Sequence, residues 1–231
     1  MRYNIMKCKY KIDGIDVYKY IMPVIRSNMY IMLVDNQALI IDPNINEDAV
    51  DLLKDNHVKM ITIILTHEHY DHISGVNYFR KYFQCTVIGN KKCKDMTVDP
   101  TKNMAAFFMA MFIDKSEAER QSVNDILSET YSCDVDLGFI NEVEYVIGSL
   151  HLLLRETPGH SPGSICIEVN RSYVFSGDSL VDGAKIITRL PGGSKKDYQE
   201  ITRPYLESLD DNIIIFPGHG NEGKISDFKI G

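Results

Sequence analysis

Thr66-His67-Glu68-His69-Tyr70-Asp71-His72 places three imidazoles and two carboxylates in seven residues, directly after the apolar run Met60-Ile61-Thr62-Ile63-Ile64-Leu65. Only 7 of the 231 residues are histidine, so three of them in one ordered string mark a metal-ligand cluster on the end of a buried strand rather than a solvated polar loop. In extended or looped backbone, alternate side chains point the same way. His67 and His69 can therefore reach one cation while Asp71 and His72, just beyond, turn toward a second. Imidazole with carboxylate suits a borderline divalent transition metal better than calcium or magnesium.

Four side chains cannot complete two catalytic sites of about three protein ligands each, so more ligands are expected downstream. Three candidates have the right setting: His160 in Thr157-Pro158-Gly159-His160-Ser161-Pro162-Gly163, Asp178 in Phe175-Ser176-Gly177-Asp178-Ser179, and His219 in Phe216-Pro217-Gly218-His219-Gly220. Each follows an apolar, strand-like run and sits among Gly or Pro, as a tight loop at a strand end requires. His57 and His151 lack that setting and read as ordinary surface or strand residues.

On these motifs the chain resembles the metallo-β-lactamase-fold superfamily of binuclear hydrolases, and within it the glyoxalase II-like branch. The resemblance spans about residues 10 to 220. It implies an α/β fold, a four-layered αβ/βα sandwich of two mixed sheets flanked by helices. It also implies that His67, His69 and His160 hold a first metal, that Asp71, His72 and His219 hold a second, and that Asp178 bridges them. Asp42, in Leu39-Ile40-Ile41-Asp42-Pro43, matches an early strand-end aspartate that buttresses the metal loop.

Two divalent ions are implied, zinc in the first place, with iron or manganese as alternatives. A pair of cations about 3.5 to 4 Å apart brings the pKa of a bridging water to around 7, which supplies hydroxide for attack on a thioester or ester-like carbonyl. Asp71 and Asp178 would orient that nucleophile. The partner expected is a small-molecule substrate. Lactone hydrolysis, persulfide dioxygenation at a single iron and a non-catalytic metal-binding module are the alternative functions. One departure concerns substrate: relatives carry Arg-Thr-Asp-x-Pro-Gly-Gly where this chain has Thr188-Arg189-Leu190-Pro191-Gly192-Gly193, without the Asp. No helical domain for the glutathione moiety is expected after His219 either.

Composition sets bounds on these expectations. With 44% hydrophobic and 25% charged residues, the 231-residue chain reads as one globular domain with a helical insertion at about 101–135. A formal charge of −7 disfavours nucleic acid as a partner. The amino terminus has no apolar signal segment, and the longest apolar run, Ala105 to Ile113, is too short to span a membrane, so a cytoplasmic protein is expected. Five cysteines without a Cys-x-x-Cys pair argue against a disulfide framework, and Cys166 reads as a small packed hydrophobe.

Periodicity predicts strands at 7–12, 15–21, 28–34, 38–42 and 60–65, a helix at 46–56, and after the metal loop a helix at 75–82, a strand at 86–88 and a helix at 90–95. A second half repeats the theme with strands near 143–147, 150–156, 164–169, 172–176 and 213–216 and a helix at 194–209. Between the halves, Met104 to Ile113 is apolar nearly all round, and Ser116 to Tyr131 reads as a polar helix with a capping box from Ser116 to Glu119. Such an apolar segment must be covered: by core, by a second copy of the chain in a homodimer, or by becoming a wall of the substrate pocket, for which Tyr70 is a further candidate.

Overall fold

The computed structural model describes residues 6–23, 25–124 and 128–231. Thirteen strands form two mixed sheets among the described residues. The first orders β1 (Met6–Ile12), β2 (Ile15–Ile21), β3 (Asn28–Val34), β4 (Gln37–Ile41), β5 (Met60–Ile64), β6 (Gln84–Asn90) and β7 (Leu137–Phe139) side by side, antiparallel as far as β4 and parallel beyond it. The second runs in the order β13 (Gly223–Lys224), β12 (Ile214–Pro217), β11 (Tyr173–Gly177), β10 (Ile165–Val169), β9 (Leu150–Glu156) and β8 (Glu142–Ile147); β11 and β12 are its parallel pair.

Strand alternation explains the layers. In β3 and β4, Tyr30, Met32, Leu39 and Ile41 turn inward to meet Leu154, Ile165, Ile167, Phe175 and Phe216 of the second sheet. Met29, Ile31, Ala38 and Ile40 turn outward and pack under α1 (Glu47–Asp55), α3 (Val76–Phe79) and α4 (Lys91–Met96) through Ala49, Leu53, Val76, Phe79 and Cys93. The second sheet covers its outer face likewise, with Cys166, Val174 and Ile215 against Leu206. These strands are buried on both faces, which is why they read as unbroken apolar runs. Two mixed sheets flanked by helices make the expected α/β sandwich.

Several expected elements differ. The 75–82 helix is only Val76–Phe79, and an unexpected α2 (Tyr70–Ile73) begins inside the metal loop, so Asp71 and His72 project from a helical turn instead of extended chain. The 86–88 strand extends to Gln84–Asn90 and gains β7 as a parallel neighbour. The 194–209 helix is Lys195–Asp197, a π-helical turn Tyr198–Thr202, and Arg203–Glu207. Pro204 offers no backbone donor to that turn, and Thr202 Oγ1 donates to Pro158 O at 2.6 Å, which ties the wide turn to the loop of His160.

The apolar insertion is a 3-10 helix, Ala105–Phe112, entered through Met104 at a φ of 70°. Its three-residue repeat buries Ala105 and Phe108 on one side, with Phe112 beyond, and leaves Phe107 outside. Ser116 and Glu119 form the expected reciprocal cap at the start of α5 (Glu117–Asn124). That helix does not reach Tyr131: residues 125–127 lie outside the described ones, and Glu129 and Thr130 form a turn. Among the described residues no helix is long and apolar enough to cross a membrane.

Candidate metal centre

Every candidate ligand sits at one edge of the sandwich. β4 and β5 are parallel and lead into Asp42 and Thr66; β9, β11 and β12 share a direction and lead into His160, Asp178 and His219. Backbone bonds close this edge: Ile165 N donates to Thr66 O at 2.8 Å, Gly218 N to Gly177 O at 2.8 Å, and Asn28 N to Gly218 O at 2.7 Å. Asn28 also donates through its side chain to Pro217 O and Gly220 O, and the hydroxyl of Tyr30 donates to Pro217 O at 2.7 Å. The loops carrying Asp178 and His219 meet so closely that a Cβ on Gly218 would collide with the Asp178 carboxylate and the His72 ring. Gly177, at a φ of 50°, is similarly pinned against Thr66.

The seven candidates converge on two adjoining groups. His67, His69 and His160 bring one ligand atom each within 4.8 Å of one another, and Asp71, His72 and His219 do the same. Asp178 lies between them: its Oδ2 is 3.5 Å from His160 Nε2 and 3.6 Å from His219 Nε2, while its Oδ1 is 3.6 Å from His72 Nε2. Asp42, His67 and His72 form a third compact group, but the Asp42 oxygens already accept from Thr66 N at 2.7 Å, Thr66 Oγ1 at 2.5 Å and His72 Nδ1 at 2.8 Å. Asp42, held at a φ of 52°, is thus placed to orient the loop.

Ring hydrogen bonds test whether these side chains suit a cation. His160 Nδ1 donates to Ile187 O at 2.9 Å, so the neutral ring presents a lone pair at Nε2. In the metal-free protein His69 Nδ1 donates to that nitrogen at 3.0 Å, a proton that a metal would replace, and His67 Nε2 is buried without a partner. His72 donates from Nδ1 to Asp42, which turns its buried Nε2 toward the carboxylates of Asp71 (3.3 Å) and Asp178. Ring nitrogens crowded on one another and on carboxylates need a proton or a metal ion between them. The residues fit divalent metal.

Electrostatics divides the two groups. Burial, reinforced by neighbouring imidazoles, holds His67 well below the usual imidazole range and takes His69 down to about 3. For His72 and His219, burial is outweighed by the nearby carboxylates, Asp71 and Asp178 foremost, and both are raised. Asp71 is held well below the carboxylate range because His72 and His219 outweigh its burial.

Sequence reasoning missed other parts of the centre. Glu68 points away from its flanking histidines, fully buried, and accepts from Ser161 Oγ at 3.0 Å; burial pushes its carboxyl up to about 7. It thereby joins the metal loop to the residue after His160. A cleft of about 260 Å³ opens over the ligands, walled by Ile25, Met104, Phe108, Phe112, Ile187 and Leu190 around His69, Asp71, His160, Asp178 and His219. Met104, Phe108 and Phe112 of the insertion thus wall the cleft, one of the three covers expected for so apolar a segment. Tyr70 sits beneath it, 1% exposed, against Phe108 and Tyr131. His57 and His151 are exposed and stand apart from the ligand groups, and Cys166 is packed in the core.

The pattern of the metallo-beta-lactamase superfamily matches residues 22–219, which takes in every one of these candidate ligands. The chain belongs to the metallo-beta-lactamase superfamily. It is a metal-dependent hydrolase, and its His/Asp clusters sit where such an enzyme needs divalent metal. It is 29% identical to the probable metallo-hydrolase YqgX of Bacillus subtilis, over 87% of this chain and 89% of that one. It is 28% identical to the hydroxyacylglutathione hydrolase GloC of Haemophilus influenzae, over 84% of this chain and 85% of that one. Among solved structures, BLEG-1 B3 metallo-beta-lactamase superposes with a TM-score of 0.70 at 26% identity, over 90% of this chain and 92% of that chain.

Proposed function

We propose that this metallo-beta-lactamase superfamily hydrolase holds two divalent ions, zinc by preference, and cleaves a thioester or ester-like carbonyl of a small molecule. His67, His69 and His160 would hold the first ion; Asp71, His72 and His219 the second; Asp178 would serve both. The carrying observation is the position of Asp178, whose carboxylate lies 3.5 to 3.6 Å from histidines of both groups. A second group as complete as the first favours two ions over the single iron of a dioxygenase. Bound divalent ions supply Lewis acidity, lowering the pKa of water toward neutrality and polarising a carbonyl oxygen.

The protein's own groups do the rest. Asp178 and Asp71 accept hydrogen bonds and so orient a water for attack along one line. Asp42 fixes the His72 tautomer, and Ile187 O fixes that of His160. The apolar walls keep bulk water off the reacting carbonyl. The likeness to GloC supports a thioester, whereas the missing Asp at Thr188-Arg189-Leu190 withholds support for glutathione as the thiol.

The test is metal content of the purified protein beside a panel of thioesters, lactones and phosphodiesters, with and without chelator. Two ions per chain and chelator-sensitive thioester turnover are expected. Retained turnover in the metal-free protein, or activity confined to phosphodiesters, would overturn the proposal.

A further inference from the structure

The geometry points to a short, uncharged, apolar acyl group as the part of the substrate that this cleft selects, with the Met104–Phe112 segment as its specificity wall. This rests on the hydrolase proposal above and narrows it.

Apart from the five ligands at its floor, the cleft is lined by six apolar side chains, and among the described residues no lysine or arginine lines it. A substrate limb ending in carboxylate would be desolvated there with no cationic partner, which is costly. A hydrocarbon limb gains by leaving water. At about 260 Å³ the space lies just under the range usual for drug-sized ligands, which suits a chain of a few carbons.

The wall is also built to hold its place. Tyr70 N, inside the metal loop, donates to Asn103 O at 2.9 Å, and the Asn103 side chain donates to Thr97 O and Tyr131 O while accepting from Ala105 N. The hydroxyl of Tyr131 donates to Ile73 O at 2.8 Å. Phe108 and Phe112 pack with Tyr70 and Val123 in a small core of their own. The segment that touches the substrate limb is thus fastened to the segment that carries the ligands, so the scissile carbonyl and the limb are read by one connected unit.

The test uses the zinc-loaded protein and thioesters of one neutral thiol with acetyl, butanoyl and hexanoyl groups, plus an acyl chain of butanoyl length ending in carboxylate. kcat/KM is expected to climb roughly fourfold for each methylene buried. The carboxylate-ended chain should fall well below butanoyl. Phe108→Ala should flatten the chain-length slope. Ile187→Lys alters a half-exposed rim position and is safe for folding; it should narrow the gap between the carboxylate-ended and butanoyl substrates. In parallel, calorimetry with non-hydrolysable ketone analogues, a methylene in place of sulfur, reads the cleft without turnover. Affinity rising with chain length and a negative heat-capacity change are expected. Equal rates and equal affinities across the chain lengths, or preference for the carboxylate-ended chain, overturn the inference. Absence of any thioester turnover with length-dependent analogue binding would instead sink the hydrolase proposal and leave the apolar selectivity standing.

Discussion

The two ligand groups use the same imidazole chemistry in opposite electrical settings. His67, His69 and His160 are deeply buried and none of their partners in the group carries negative charge, so His67 and His69 stay neutral. Asp71, His72 and His219 mix carboxylate with imidazole, and His219 is 31% exposed at the mouth of the cleft. There the carboxylates draw protons onto His72 and His219 in the metal-free protein. Burial and neighbouring imidazoles thus keep His67 and His69 neutral for a cation, whereas His72 and His219 must give up protons for it.

Asp178→Ala removes the carboxylate that, among the described residues, faces histidines of both groups, and it narrows the contrast to what Asp71 alone sustains. Turnover should fall by more than about a hundredfold, beyond the range typical of residues that merely orient ligands, and both ions should bind more weakly by metal analysis. Asp42→Asn should sharpen the contrast: loss of the His72 anchor weakens the second ion by roughly 10- to 100-fold with little change in the first, measured by competition with a chromogenic chelator.

Acidity should separate the groups as well. Because the His72 and His219 pKa values are raised, their protons compete with metal at a higher pH than those of His67 and His69. As the pH falls from 8 toward 5, ion should leave the Asp71 group first while the His67 group keeps its own. Simultaneous loss of both ions in a pH series of metal content would refute the distinction. The smallest effect is expected at Asn28, whose side chain steadies Pro217 and Gly220. Asn28→Ala should cost about 1 to 3 kcal/mol by denaturant unfolding and lower second-ion affinity only through the His219 loop.

The residues that converge at the candidate centre were legible in the chain because each has an unusual neighbourhood: three histidines within seven residues, or a lone His or Asp among Gly and Pro after an apolar run. The sheets were legible because strands buried on both faces leave continuous Val, Ile and Leu. Local pattern failed where tertiary contact decided the backbone. The turn at Tyr70–Ile73 forms as Tyr70 N is claimed by Asn103, an atom 33 positions away, and the π turn at Tyr198–Thr202 answers to Pro158. The side of the cleft on which Met104, Phe108 and Phe112 would lie had no periodic signature, because a 3-10 repeat in an all-apolar run has no polar face to contrast with.

Neither half of the chain owns a whole donor set: residues up to 72 give four of the seven side chains and residues from 160 onward give three. A cation held by these groups would act as a clasp across the seam where Ser27 bridges to His219 and its hydroxyl donates to Asp71 O. Stripping the metal should loosen that seam before either sheet melts, with earlier amide exchange at Asn28 and Gly218 than in the strands on either side.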